Sequence, residues 1–317
     1  MHYFITGGAG FIGSTLVDRL LGQSHTVTVY DNFSTGFHAF LDHAKLHPGF
    51  RLVVGDLLDR KALEAAMAGA EMVYHFSANA DVRFGTERPD KDLQQNTVAT
   101  FTVLEAMRAT GIQRIAFSST GSIYGEPSIF PTPEDAPFPV QTSLYGASKL
   151  ACEGLIAAYC EGFGFQGVAF RFVSVLGERY THGHIFDFCK RLLDNPATLH
   201  ILGNGKQKKS YIYVQDCLDA MQFIETKAQP GFEVYNLGVD DYIEVNDSVR
   251  WITETMGLEP TLSYAGGERG WIGDSPFIYL DTTKIRSQGW SPKLTIRQGV
   301  ERTIRWLLDN RWALEKR

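Results

Sequence analysis

The chain has 317 residues, 44% of them hydrophobic and 21% charged, enough to bury a sizeable core in one large or two modest domains. A formal net charge of −6 argues against broad, non-specific nucleic-acid binding, although a local basic patch remains able to grip a phosphorylated small molecule. The four cysteines (Cys152, Cys160, Cys189, Cys217) form no CxxC pair, Met1–Ile5 runs straight into a strand pattern, and no run of eighteen apolar residues occurs. A cytoplasmic protein with reduced thiols, no signal peptide and no membrane span is therefore expected.

In chain order, HYFI, TVTVY, RLVVG, EMVYHF, RIAFSS and GVAFRF read as strands rich in β-branched and aromatic residues. Amphipathic stretches such as FIGSTLVDRLLG, DRKALEAAMAG and NTVATFTVLEAMRATG lie between them and predict helices. This alternation implies an α/β fold with a doubly wound parallel sheet of Rossmann type. Residues 125–142 carry five prolines and no periodicity, which predicts a long loop. After residue 176 the rhythm changes. Helices are expected at 184–194, 215–226, 245–256 and 295–309, with a hairpin near Asn204-Gly205. A first domain over 1–176 is expected, followed by a smaller α/β lobe over 177–317, some of whose segments return to the first domain.

Between the first strand and first helix stands TGGAGFIG, with Gly7, Gly10 and Gly13. Glycines there permit a tight turn and close approach of a pyrophosphate, and the helix start beyond them (Phe11, Ile12) offers N–H groups to that anion. Asp31 ends the second strand about 20 residues on, where a carboxylate accepts from an adenosine ribose and repels a 2′-phosphate, favouring NAD over NADP. Asp56, after the third strand, has two readings, an adenine contact or a cap on the next helix. Further along, SLYGASKL places Tyr145 and Lys149 four residues apart. On a helix they share a face, and an ammonium beside a phenol favours phenolate, a general base.

Together with FSSTGSIYGE, NTVATFTVLEA, RFVSVLG and the late segment GERGWIGDSPFIYLDTTKIRSQGWSP, these motifs give the chain a resemblance to the extended short-chain dehydrogenase/reductase family. Within it the match is to NAD-dependent nucleotide-sugar epimerases and dehydratases, nearest to UDP-glucose 4-epimerases. The resemblance implies catalytic Thr120, Tyr145 and Lys149. It implies NAD contacts from Gly7, Gly10, Phe11, Ile12, Gly13, Asp31, Asn32, Asp56, Leu57, Ser77, Asn96, Ser118, Tyr145 and Lys149. Tyr145 would take a proton from the sugar 4-hydroxyl while C4 gives hydride to NAD⁺, and hydride would return to the other face of the 4-keto sugar. Lys149 would lower the tyrosine pKa and hold the nicotinamide ribose. Dehydrating relatives usually carry an acid straight after the threonine. Here those positions are Gly121 and Ser122, which favours epimerisation.

Ser119, Thr120, Ser174, His184, Lys209, Tyr211, Arg269 and Asp274 are the implied substrate contacts, with a UDP-hexose as the expected ligand. Two motifs depart from the family: RFVS puts Ser174 where asparagine is usual, and KSYIYV puts Lys209 in place of arginine. Serine is a shorter donor, and lysine a point charge instead of a fork. Ile278 falls near the wall expected to face the sugar's C2 substituent. Asn96 and Arg171 also admit a reading as buried hydrogen-bonding residues. The two histidines of THGH lack a third ligand, so no metal is expected. A 4-ketoreductase or dehydratase and a non-catalytic NAD-binding sensor are the competing functions. A homodimer through the helices near 95–109 and 144–160 is expected by resemblance.

Overall fold

The computed structural model describes residues 1–79, 87–137, 140–268 and 277–316. Packing divides the chain into two compact units, one of Met1–Ile123, Ser143–Arg171 and Met221–Tyr235, the other of Tyr124–Thr142, Phe172–Ala220 and Asn236–Arg317.

The first unit is built on β1 (His2–Thr6), β2 (Thr26–Asp31), β3 (Phe50–Val54), β4 (Met72–His75), β5 (Arg114–Thr120) and β6 (Gln166–Phe172). With β11 (Gly231–Leu237) they make a seven-stranded sheet in the order β11-β6-β5-β4-β1-β2-β3. The β1/β2, β2/β3, β1/β4 and β4/β5 ladders are parallel. All four residues of β4 are buried, as expected of a strand covered on both faces. The helices of this unit are α1 (Phe11–Gly22), α2 (Arg60–Met67), the short α3 (Pro89–Asp92), α4 (Ala99–Thr110) and α5 (Leu144–Phe163). On one face of the sheet Phe4, Val73 and Phe117 meet Leu63 of α2, Val103 of α4 and Ile156 of α5 in a continuous core. Each such fully buried side chain is worth about 1.5–3 kcal/mol. The strand order reverses between β1 and β4, and in sheets of this kind ligands bind beyond the strand carboxyl ends at that switch point.

Caps decide where the functional helices begin. The Ser143 hydroxyl accepts from Gly146 N at 3.0 Å and starts α5 two residues before Tyr145. Asp59 caps α2 by accepting from Ala62 N at 3.1 Å, so of the two readings of Asp56 the cap belongs to its neighbour. Between α3 and α4 the chain is π-helical over Leu93–Val98.

In the second unit β7 (Ser174–Leu176) pairs in parallel with β10 (Tyr211–Tyr213). β9 (Lys208–Lys209) lies between β12 (Ile243–Glu244) and β14 (Phe277–Ile278), and β8 (Thr198–Ile201) pairs with β13 (Thr261–Tyr264). Helices α6 (His184–Asp194), α8 (Val245–Met256) and α9 (Ile296–Asp309) pack on one another, and Ile185, Leu192, Val249, Ile252, Val300 and Ile304 on them are buried. Helix α7 (Val214–Glu225) follows β10 directly.

The hairpin expected at Asn204-Gly205 does not form. A turn is present, with Asn204 Oδ1 accepting from Lys206 N at 2.9 Å, but the flanking strands β8 and β9 belong to different sheets. Gly205 sits at φ +76°, and a Cβ there would lie 2.2 Å from the Asn246 side chain, so the turn is packed against the start of α8 instead of closing a ladder.

Candidate active site

The glycine turn is held by Gly7 N donating to Tyr30 O at 3.1 Å and Gly10 N donating to Gly7 O at 3.1 Å. Gly7 has φ +70°, and a Cβ on it would stand 2.7 Å from Ser77 N, so the ends of β1 and β4 touch backbone to backbone. A Cβ on Gly13 would fall 2.3 Å from Gly7 O, which fixes the first turn of α1 against the loop. Gly10 caps α1 with no side-chain bond, and no acid stands in its first turn. The positive end of the helix is thus left for an external anion.

Asp31 is 8% exposed and spans this turn, accepting from Ala9 N at 2.9 Å and Phe33 N at 2.8 Å. Burial pushes its carboxyl upward, while those two N–H bonds and His38 pull it back. Lone pairs remain on both oxygens for a ribose diol. Asn32 Nδ2 donates to Asp56 Oδ2 at 3.1 Å and Asp56 Oδ1 accepts from Leu58 N at 2.9 Å, so the loops after β2 and β3 are tied together beside Asp31. Leu57 is buried beneath them. An uncapped helix N-terminus, a glycine cradle and a fixed carboxylate fit a dinucleotide with a free 2′-hydroxyl.

At the carboxyl end of β5, Thr120 lies close enough to the Tyr145 hydroxyl to favour its ionised form. Its Oγ1 also accepts from Ser122 N at 3.1 Å and donates to Ser122 Oγ at 3.2 Å. Tyr145 and Lys149 do share one face of α5. Lys149 is 2% exposed, donates from Nζ to Ser118 O at 2.8 Å, and lies 4.5 Å from the centre of the Phe117 ring. Burial lowers its ammonium to about 8 against the upward pull of Cys152, Glu153 and Asp92. Tyr145 is raised above the usual phenol range by burial, with Asp92 and Cys152 adding to the rise and Thr120 opposing it. The Lys149 ammonium is turned to the Ser118 carbonyl. The protein alone therefore holds the phenol protonated at neutral pH.

Four residues flagged in the sequence hold hydrogen-bond partners within the protein. Ser119 is 3% exposed, and its hydroxyl donates to Glu153 Oε1. Glu153 in turn pairs with Arg171 Nη2 at 2.7 Å and Nε at 3.1 Å, each side chain being 4% exposed. Ser119 and Arg171 thus belong to a buried ionic network. Asn96 Oδ1 accepts from Asn79 N at 2.7 Å, and its Nδ2 donates to Ser148 Oγ at 2.8 Å, so both ends of its amide hold backbone and helix. Ser118 Oγ donates to His75 O at 3.2 Å. His75, which sequence reasoning passed over, is fully buried between Thr6 Oγ1 at 2.7 Å and Thr100 Oγ1 at 2.9 Å. Burial, with Lys149 assisting, lowers it to about 3, so it stays neutral.

In the second unit the Tyr211 hydroxyl lies 3.0 Å from His184 Nδ1. His184 is lowered to about 3 by burial and by the neighbouring Lys209. Ser174 is exposed and is the register partner of Tyr211, while Lys209 is the partner of Ile278. Four of the expected substrate contacts, with Ile278, therefore cluster on adjoining strands and the start of α6. Arg269 and Asp274 lie outside the described residues.

The model of the NAD dependent epimerase/dehydratase family matches residues 3–238. The chain belongs to this family. It is 32% identical to a putative UDP-glucose 4-epimerase of Methanocaldococcus jannaschii, the match covering 96% of this chain and 98% of that protein. A crystal structure of UDP-galactose 4-epimerase superposes with a TM-score of 0.88 at 36% identity, covering 98% of this chain and all of the other. The UDP-glucose 4-epimerase of Thermus thermophilus, solved in complex with NAD, gives a TM-score of 0.86 at 30% identity over 97% of this chain and 99% of that one.

Membership settles the cofactor as NAD, in agreement with the cradle and with Asp31. The family includes both epimerases and dehydratases, and this chain has Gly121 and Ser122, neither an acid, after Thr120. Among the described residues no group of three or more His, Cys, Asp or Glu is placed to hold a metal. None of the four cysteines is in a disulfide and all four are buried, and no described helix is long and apolar enough to cross a membrane.

Proposed function

We propose that this chain is a nucleotide-sugar 4-epimerase acting on a UDP-hexose of the glucose/galactose type. The observation that carries the reading is the hydroxyl–phenol–ammonium set of Thr120, Tyr145 and Lys149 at the end of β5 and start of α5, followed by no acid at 121 or 122. NAD, when bound, supplies the hydride acceptor and donor for the sugar's C4 and a positive charge in its oxidised ring. Tyr145 is assigned as the base that takes the 4-hydroxyl proton and returns it after reduction. Thr120, which lies beside the phenol, is assigned to orient that hydroxyl. Lys149 is a buried cation that must be held within the site for a phenolate to form, and Ser118 O and the Phe117 ring hold it. Gly7, Gly10, Phe11, Ile12, Gly13, Asp31 and Asn32 are assigned to the dinucleotide, with Asp56, Leu57 and Ser77 flanking it.

Ser174, His184, Lys209 and Tyr211 are assigned to the nucleotide end of the substrate, as are Arg269 and Asp274. We also assign residues 1–176 to dinucleotide binding and 177–317 mainly to the sugar nucleotide. A cytoplasmic homodimer is part of the proposal. Its support is apolar side chains left on the surface near and along α4 and α5: Leu93 at 53% exposure, Phe101 at 46% and Phe163 at 51%.

The test is to incubate purified protein with UDP-glucose, UDP-galactose and their N-acetyl forms without added cofactor, then separate the products. Interconversion without added NAD supports bound-cofactor epimerisation and identifies the sugar. No turnover with any of them overturns the UDP-hexose reading. Turnover that consumes external NADH stoichiometrically would make the protein a ketoreductase.

A further inference from the structure

Asp92 is an aspartate buried at 1% exposure, and no role has so far been assigned to it. It closes α3 and opens the π-helical segment. Its Oδ1 accepts from Asn79 Nδ2 at 2.8 Å and from Asn96 Nδ2 at 3.3 Å. Asn96 reaches from there to Ser148 Oγ, and that hydroxyl donates to Tyr145 O at 2.8 Å. Thr97 adds a bond from Oγ1 to Ser148 O at 3.4 Å. A continuous path of hydrogen bonds, buried as far as Ser148, thus runs from one carboxylate to the backbone of the first turn of α5.

We propose that Asp92 is a positioning residue for the Tyr145/Lys149 pair, anchoring through Asn79, Asn96 and Ser148 the helix turn that carries both. Hydrogen bonds in a low-dielectric interior are stronger than in water, and a misplacement on the order of 1 Å at a reacting group costs roughly a hundredfold in rate. A carboxylate suits the anchoring point because it accepts from two amides at once, which a neutral side chain of similar size does less strongly. The same carboxylate adds a negative charge that raises both Tyr145 and Lys149. The other groups around the pair are Thr120 from β5, His75 from β4, and Cys152 and Glu153 from α5 itself. His75 is neutral above about pH 3, so it does not titrate in the working range.

The inference rests on Tyr145 being the base of the proposed reaction, and the experiment separates the two. Asp92→Asn keeps the shape and an acceptor for Asn79 but removes the charge, whereas Asp92→Ala removes the anchor as well. For Asp92→Asn, the plateau kcat on the UDP-sugar that turns over should stay within a few fold, while both limbs of the kcat/KM pH profile move to lower pH. For Asp92→Ala, kcat should fall at least tenfold with KM little changed, because Asp92 is held in the protein's own network. The Tyr145 phenol is titrated in parallel by ultraviolet difference spectroscopy, taking Tyr145→Phe as the blank, in the wild type and in Asp92→Asn. A lower midpoint in Asp92→Asn supports the inference even if no sugar nucleotide turns over and the epimerase reading fails. Wild-type kcat, pH profile and phenol midpoint in Asp92→Asn and Asp92→Ala would overturn it while leaving the epimerase reading intact. So would a rise in KM alone. Should Asp92→Ala fail to fold, the profile and phenol midpoint of Asp92→Asn decide alone.

Discussion

The buried pair Glu153–Arg171 gives the sharpest stability prediction. Both side chains are 4% exposed, and Arg171 donates to the carboxylate from Nη2 at 2.7 Å and from Nε at 3.1 Å and 3.3 Å, with Ser119 donating to the same carboxylate. Glu153→Met leaves a guanidinium buried without its anion, and Arg171→Met leaves the carboxylate without its cation. Each single change should cost about 3–5 kcal/mol, because an uncompensated buried charge is more expensive than the pair is favourable. The double variant removes both charges and should cost less than either single. What remains is the Ser119 hydroxyl without its acceptor, about 1–3 kcal/mol. Adding Ser119→Ala should recover most of that. Urea unfolding followed by far-ultraviolet circular dichroism gives the four free energies of the cycle. Losses in the double variant equal to the sum of the singles would refute the coupling, as would singles costing under about 1 kcal/mol. Ser119 lies between Ser118, which holds Lys149, and Thr120, so the single variants should also lose turnover before they unfold.

Tyr145→Phe should reduce turnover by roughly 10²–10⁴-fold while leaving bound NAD in place, read from kinetics and from the nucleotide released on denaturation. Gly13→Ala should abolish NAD retention with little change in circular dichroism, since its Cβ would fall 2.3 Å from Gly7 O and force the cradle apart. Lys149 carries a pH signature in stability. Its folded value of about 8 lies below the ordinary 10.5, so between those pH values the unfolded chain binds more protons and stability rises with pH. Measured against Lys149→Met, the wild type should gain up to roughly 3 kcal/mol as pH rises from 7 to 10.5, and a constant difference would refute the burial argument.

Much of the first unit was legible because its signals are local. The strands are continuous apolar runs, and FIGSTLVDRLLG coincides with α1 as Phe11–Gly22. The helices at 184–194 and 245–256 were likewise read from their periodicity. Asn204-Gly205 misled because turn chemistry specifies a reversal of the chain but not which strands pair after it, and here Asn246 takes the turn. Asp56 resembled a helix cap, yet Asp59, three residues on, makes the capping bond. The partners of Ser119 and Asn96 were hidden for a different reason. Ser119 meets Glu153 across a separation of 34 residues, and Asn96 meets Ser148 across 52, which no periodicity encodes. Asp92 left one faint trace, its position four residues before Asn96, the spacing that puts two side chains on one helical face. The direction in which Lys149 points was invisible, because i, i+4 spacing fixes a shared face and not the rotamer.

The π-helical stretch Leu93–Val98 also bears on how this segment tolerates changes in length. A π turn holds one residue more than an α turn, so everything on its far side is rotated by about 100° relative to a regular helix. Deleting one residue within 93–98 would let α3 and α4 merge into a continuous α-helix, a gain in local hydrogen-bond geometry. It would also shift the residues on one side of the deletion against those on the other and break the path in which Asp92 bonds Asn96 and Asn96 bonds Ser148. Substitutions that keep the count of residues should therefore be far better accepted in this segment than any deletion, even one that makes the helix more regular.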